Sequence, residues 1–209
     1  PTAVVDFHIV NYRTPDAGVA HVWLHSAIRR LSLSDGGDSS RNVHKELIAA
    51  VDSAVTPLCE SLPRDELIRS VRNGDNTTRA AVLRHAAERL SQAGLPLILS
   101  LTEDADLNVA TAAIYALRSS RSNLARQKLV DIARNGNRPP GAAAKSASEI
   151  RRTVAVRSLV ASKYATAHPE VMRLLSTKDE FLITQTANAI AAHPRPVWSE
   201  PLAALIDDS

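Results

Sequence analysis

His21 and His25 stand four residues apart, the spacing that places two imidazoles on one face of a helix as a pair of metal ligands. The glutamate that completes a zinc-protease helix is missing beside them and no third ligand follows, so the expected outcome is a solvent-facing or partly packed histidine pair. Asp104 and Asp106 flank Ala105 in the manner of a metal-binding dyad. Carboxylates placed before an apolar run also cap the helix that follows, and capping accounts for both. Cys59 is the sole cysteine, which excludes an internal disulfide and a four-cysteine zinc site and suits a reducing compartment, the cytoplasm by default. The expectation is a protein with no metal, no cofactor and no catalytic residues.

The strongest charged feature is a segment. Between residues 118 and 163, eleven Arg or Lys stand against only Asp131 and Glu149, a local +9 within a chain of net charge +3, so the remainder sums to −6. Such a segment meets phosphates or an acidic protein surface, or else it is a solvated face that keeps the chain soluble. Arg151, Arg152 and Arg157 point in three directions on a helical wheel and form no single stripe. Only 3% of residues are aromatic, too few to favour stacking on the bases of a single strand. The expected partner is therefore a protein, acidic where it meets this segment, with nucleic acid or polyphosphate as the alternative.

The same scarcity of aromatics indicates which elements position these groups. Apolar residues make up 44% of the chain, mostly Ala, Val, Leu and Ile, which suits closely approaching helices better than a β-sandwich. Gly94 to Asp104 reads as a short apolar helix and a turn. Ala105 to Leu117 reads as a second helix with Val109, Ala112, Ala113, Ala116 and Leu117 at core positions. Asp75 and Asp179 precede comparable second helices at Arg79 to Leu83 and Ile183 to Ile190. The interval is 31 residues from Asp75 to Asp106 and 73 from Asp106 to Asp179, two periods plus about eleven residues; the excess is assigned to 136–145, and Glu149 to Arg152 supplies the helix between. First helices are expected at 62–71, 123–133, 169–175 and 200–206.

This pattern of short apolar helix, Asp-containing turn and Ala-rich second helix resembles the HEAT repeats of the armadillo-like superfamily. The resemblance implies an all-α fold, a right-handed α-α superhelix of HEAT-like helix pairs over 62–209, cut short at its C-terminal end. The arginine that often follows the family's turn is matched by Arg79 and Arg151 and replaced by Ala110 and Ile183. Residues 1–61 are expected to form a divergent N-terminal segment, an extended stretch at Val4 to Val10 and then helices over 16–33 and 40–61. The chain opens on Pro1 and stops where another second helix would begin, so it is read as a piece of a longer protein. No run of about 18 apolar residues could span a bilayer, and no membrane partner is expected.

In such solenoids second helices line the concave side. On residues 107–118 the polar strip Asn108, Thr111, Tyr115 and Arg118 lies opposite the core positions. The repeat register adds Arg84 and Asn188, and Arg157 if the third repeat slips by one residue; Arg151 joins them from the cationic segment. The function expected of this set is non-catalytic protein binding by a helical-repeat scaffold. A further alternative comes from Phe7 to Pro15, which resembles the first strand and turn of a family-two glycosyltransferase and would make the chain the helical part of a larger enzyme. The metal-binding Asp-x-Asp that this family requires about a hundred residues on would fall where the chain already reads as helical repeats.

Overall fold

The computed structural model describes residues 55–90, 93–136 and 144–199, with Ala203. The extended stretch at Val4 to Val10, the segment 7–15, His21, His25, the helix at 16–33 and most of those at 40–61 and 200–206 lie outside the described residues. The described residues are all-α, and among them there is no strand. After helical residues 55–61 come α1 (Arg64–Asn73), α2 (Asn76–His85), α3 (Ala87–Leu90), α4 (Leu95–Leu101) and α5 (Leu107–Leu117). Then follow α6 (Asn123–Asn135), α7 (Ala144–Ala161), α8 (His168–Leu175) and α9 (Glu180–Ala192), with 3-10 turns at Ala165–Ala167 and Pro196–Trp198.

The helices pack in pairs, α1 on α2, α4 on α5, α6 on α7 and α8 on α9. The pairs meet chiefly through their second members: α2 packs on α5, α5 on α7 and α7 on α9, a row in chain order. The buried apolar set is Ala, Val, Leu and Ile apart from Cys59 and Trp198, as the composition requires. Small side chains at facing positions allow close approach. Each buried Val, Leu or Ile contributes about 1.5–3 kcal/mol.

Three aspartates fix where second helices begin. Asp75 accepts the Thr78 amide at 2.7 Å, Asp106 those of Asn108 and Val109 at 2.9 and 3.1 Å, and Asp179 that of Leu182 at 3.2 Å. Burial extends the register to α7: Val82, Ala113, Ala155 and Thr186 are each fully buried, and Ala86, Leu117, Leu159 and Ile190 nearly so. In that frame Ser148 stands where the other helices have Asp, and the intervals are 31, 42 and 31 residues. The third unit is therefore shifted by one residue from the frame that pairs Arg151 with Arg79, and the partner of Arg79 is Arg152.

Ser148 caps nothing, because α7 starts one turn earlier, at Ala144. Its hydroxyl donates to the Gly136 carbonyl at 3.0 Å and ties the start of α7 to the end of α6. Gly136 ends α6 with φ 51°, a left-handed conformation that favours glycine. Ala144 and Lys145, assigned to the insertion by spacing, are helical; residues 137–143 lie outside the described residues.

Candidate functional site

The described arginines of 118–163 are found at both ends of the helix row. At the N-terminal ends, Arg79 donates to the Val71 carbonyl at 3.2 Å and to Asp104 at 2.6 Å, joining the end of α1 to the turn of the next pair. Arg152 repeats this with the Ala133 carbonyl at 2.9 Å and Asp179 at 2.5 Å. Asn76 donates to Asp106 at 2.9 Å, and the Asp106 amide to Asp104 at 2.9 Å, so both members of the apparent dyad are turn and cap residues. Lys128 pairs with Glu103 at 2.5 Å. Burial tends to raise the Asp179 carboxyl, but hydrogen bonds from Arg152 and the Leu182 amide outweigh it and leave it below its ordinary value.

Arg151 leaves the candidate set. It occupies the core register of Thr78, Val109 and Leu182, is 3% exposed, and donates to the Asp104 carbonyl at 2.9 Å. A side chain so enclosed has no surface to offer a partner.

Arg84, Tyr115, Arg157 and Asn188 fall at one register position on four successive second helices, with Tyr115 half-buried and the others exposed. Arg118 caps α5 and lies over the Tyr115 ring, 3.7 Å from its centroid. Asn108 is exposed but sits two turns away, near the opposite end of the row. The Thr111 hydroxyl bonds the Leu107 and Asn108 carbonyls of its own helix at 2.8 and 3.2 Å. The structure thus brings Arg84, Tyr115, Arg118, Arg157 and Asn188 to one edge and leaves Asn108, Thr111 and Arg151 apart from it.

Glu88 and Lys163 form an ion pair at this edge, joining the first unit to the end of the third past Arg118. The Lys163 hydrogen bond holds the Glu88 carboxyl below its ordinary value, and the same bond raises the Lys163 ammonium. Arg121 lies 5.5 Å from the centroid of Tyr164, whose hydroxyl donates to the Ser119 carbonyl at 3.2 Å. Arg118, Arg121, Arg126 and Tyr164 line a shallow crevice between the α5–α6 turn and the stretch after α7. Three of these, Arg121, Arg126 and Tyr164, are not on second helices, so the helical register could not point to them. The run Arg118-Ser-Ser-Arg121-Ser122 was the available signal.

Cys59 is fully buried, and burial pushes its thiol up to about 12, against a small opposing pull from Arg89. It is a packing residue. No protein-family model, curated protein or solved structure matches the chain.

Proposed function

We propose that this chain is a non-catalytic binding scaffold of the HEAT-repeat type, its helix pairs following a right-handed superhelix, and that it holds a protein partner along the C-terminal halves of its second helices. The observation that carries this reading is the register set Arg84, Tyr115, Arg157 and Asn188, one accessible position repeated on four helices with buried residues two positions to either side of it on each. Solenoids use such repeated positions as extended binding surfaces. The Glu88–Lys163 pair supports the curvature, because contact between the first and third units past an intervening helix end needs that edge to be the short side of a bend.

An acidic protein surface fits this edge better than nucleic acid. Arg84 and Arg157 are exposed, Arg118 and Arg121 flank them, and the Glu88 carboxylate beside Arg118 is already engaged by Lys163. Lys128, Arg151 and Arg152 are bonded within the fold, so the cationic segment offers a nucleic acid far less charge than its sequence suggests. Tyr115 has a guanidinium over its ring, in the place a base would stack. The test is a photo-activated cross-linker placed singly at Tyr115, Asn188, Arg173 or Lys178, the last two being exposed positions off the second helices. Partner adducts confined to Tyr115 and Asn188 support the reading, and equal adducts at all four sites reject it.

A further inference from the structure

The crevice between the α5–α6 turn and the stretch after α7 is lined by three arginines, Arg118, Arg121 and Arg126, with Ser120, Ser122 and Tyr164, and no carboxylate lines it. The carboxylate beside Arg118, that of Glu88, is hydrogen-bonded to Lys163. The Arg126 Nε is buried with no hydrogen-bond partner, although an arginine nitrogen taken from water normally finds an acceptor. Ser122 caps α6, whose thirteen residues direct the positive end of their peptide dipoles to the same place. Three like charges brought together without a counter-charge repel one another, so the arrangement favours an anion. The crevice is shallow and open to solvent, with no enclosed room for a nucleotide, so a bound group would sit at its mouth.

We propose that this crevice takes the phosphoryl group of a phosphomonoester, carried on a phosphorylated side chain of the protein partner. The inference rests on the scaffold reading above and adds the chemistry the partner must display. A phosphomonoester brings a charge near −2 and three terminal oxygens, enough to engage three guanidinium forks. A carboxylate has two oxygens and one charge. A phosphodiester of nucleic acid has two free oxygens, one charge and chain on both sides. Arginine clusters are a recurrent means of reading phosphorylated segments.

The experiment is calorimetric titration of the full 209-residue chain at constant ionic strength with the tripeptide Gly-phosphoserine-Gly, its serine and aspartate counterparts, inorganic phosphate and an eight-nucleotide thymidine oligomer. One saturable site is expected for the phosphoserine tripeptide, with the aspartate tripeptide at least about tenfold weaker and the serine tripeptide silent. Arg121→Gln and Arg126→Gln should each weaken phosphoserine binding about tenfold, and Arg126→Lys should restore only part of it because the planar fork is gone. Arg121 is exposed, so Arg121→Gln should leave the helical circular dichroism unchanged. Equal affinity for the aspartate and phosphoserine tripeptides, a thymidine oligomer that competes as well as the phosphoserine tripeptide, inorganic phosphate binding without the peptide binding, or no heat at all would each overturn the proposal. If the cross-links at Tyr115 and Asn188 survive such a result, the scaffold reading stands and the crevice assignment alone is rejected.

Discussion

The two ends of the helix row carry similar side chains in opposite circumstances. At the N-terminal ends of the second helices, Arg79, Arg151 and Arg152 are each bonded to a carbonyl or carboxylate of a neighbouring turn, and together they tie successive pairs. At the C-terminal ends one arginine is tied in the same way, Arg195 to the Ser162 and Ala161 carbonyls, but Arg84 and Arg157 are exposed and Arg118 rests on Tyr115. An arginine of the first kind holds pairs in register, and one of the second kind is available to something outside. Residues 118–163 contribute to both ends, so a charge counted over that window adds together residues with unrelated work.

The largest effect that would break this contrast is on stability. Replacing Arg151 by Ala strands the Asp104 carbonyl and leaves space at a core position, which should cost about 2–3 kcal/mol. In a chain of this length that is a fall of roughly 5–10 °C in melting temperature. Arg157→Ala should stay within about 0.5 kcal/mol of the parent. Thermal melts followed by circular dichroism decide the matter, and comparable losses in the two variants would erase the distinction between the ends.

The next effect concerns the joint before α7. A Cβ on Gly136 would lie 2.1 Å from the Ser148 hydroxyl and 2.9 Å from Arg152 Cγ, on a backbone at φ 51°. Gly136→Ala should cost about 1–2 kcal/mol from the left-handed backbone alone, and more as Ser148 is displaced. Asparagine tolerates that backbone better, so Gly136→Asn separates the causes: a loss equal to that of alanine identifies the crowding around Ser148 as dominant, whereas recovery toward the parent identifies the backbone. Arg152 bonds Asp179 from the same corner, so crowding there should also loosen α9, seen as faster amide exchange at its N-terminal turn.

Smaller again is the loss of a cap. Asp106→Ala removes the acceptor for two helix amides and for Asn76, and should cost about 1 kcal/mol. Ser148→Ala removes no cap, because α7 is already helical there, and its cost should be that of the Gly136 contact alone. Urea denaturation compares the two, and a full cap-sized loss at Ser148 with Gly136 undisturbed would mean that α7 begins where its sister helices do.

How much of this was legible depended on whether a residue's work is local. The caps at Asp75, Asp106 and Asp179 were readable, since a short polar side chain before an apolar run meets amides only two or three residues on. The interval of 31 residues and the insertion of eleven followed from those caps, and with them the shared position of Arg84, Tyr115 and Asn188. The third unit was misplaced by one residue because it has no aspartate. Ser148, 31 residues before Asp179, is the correct anchor although it caps nothing, and counting back from Asp179 exchanges Arg151 for Arg152. Contacts over long separations, such as Arg151 to the Asp104 carbonyl or Lys163 to Glu88, leave no local signature. For that reason those contacts were not readable, although the register counted from Asp179 places Arg151 in the core and the run Arg118-Ser-Ser-Arg121-Ser122 marks the crevice.

The smallest effect is one of sign, and it tests whether the open end is open. Arg84 lies in the last turn of α2, where a cation meets the negative end of the helix dipole; replacing it by Gln should lower stability by about 0.3–1 kcal/mol. Arg121 lies two residues before the first residue of α6, where the dipole is reversed, and the nearby Lys163 adds repulsion. Arg121→Gln should therefore raise stability by a few tenths of a kcal/mol at low salt. Both shifts are exposed electrostatics, so both should shrink toward zero in 1 M salt, where the screening length falls to about 3 Å. At the other end, the partly buried Arg152–Asp179 pair should hold most of its contribution in the same salt. Urea melts in low and high sodium chloride measure all three. If Arg121→Gln is destabilising, and equally so at both salt concentrations, then Arg121 has a structural partner as Arg152 does, and it is not open to something outside.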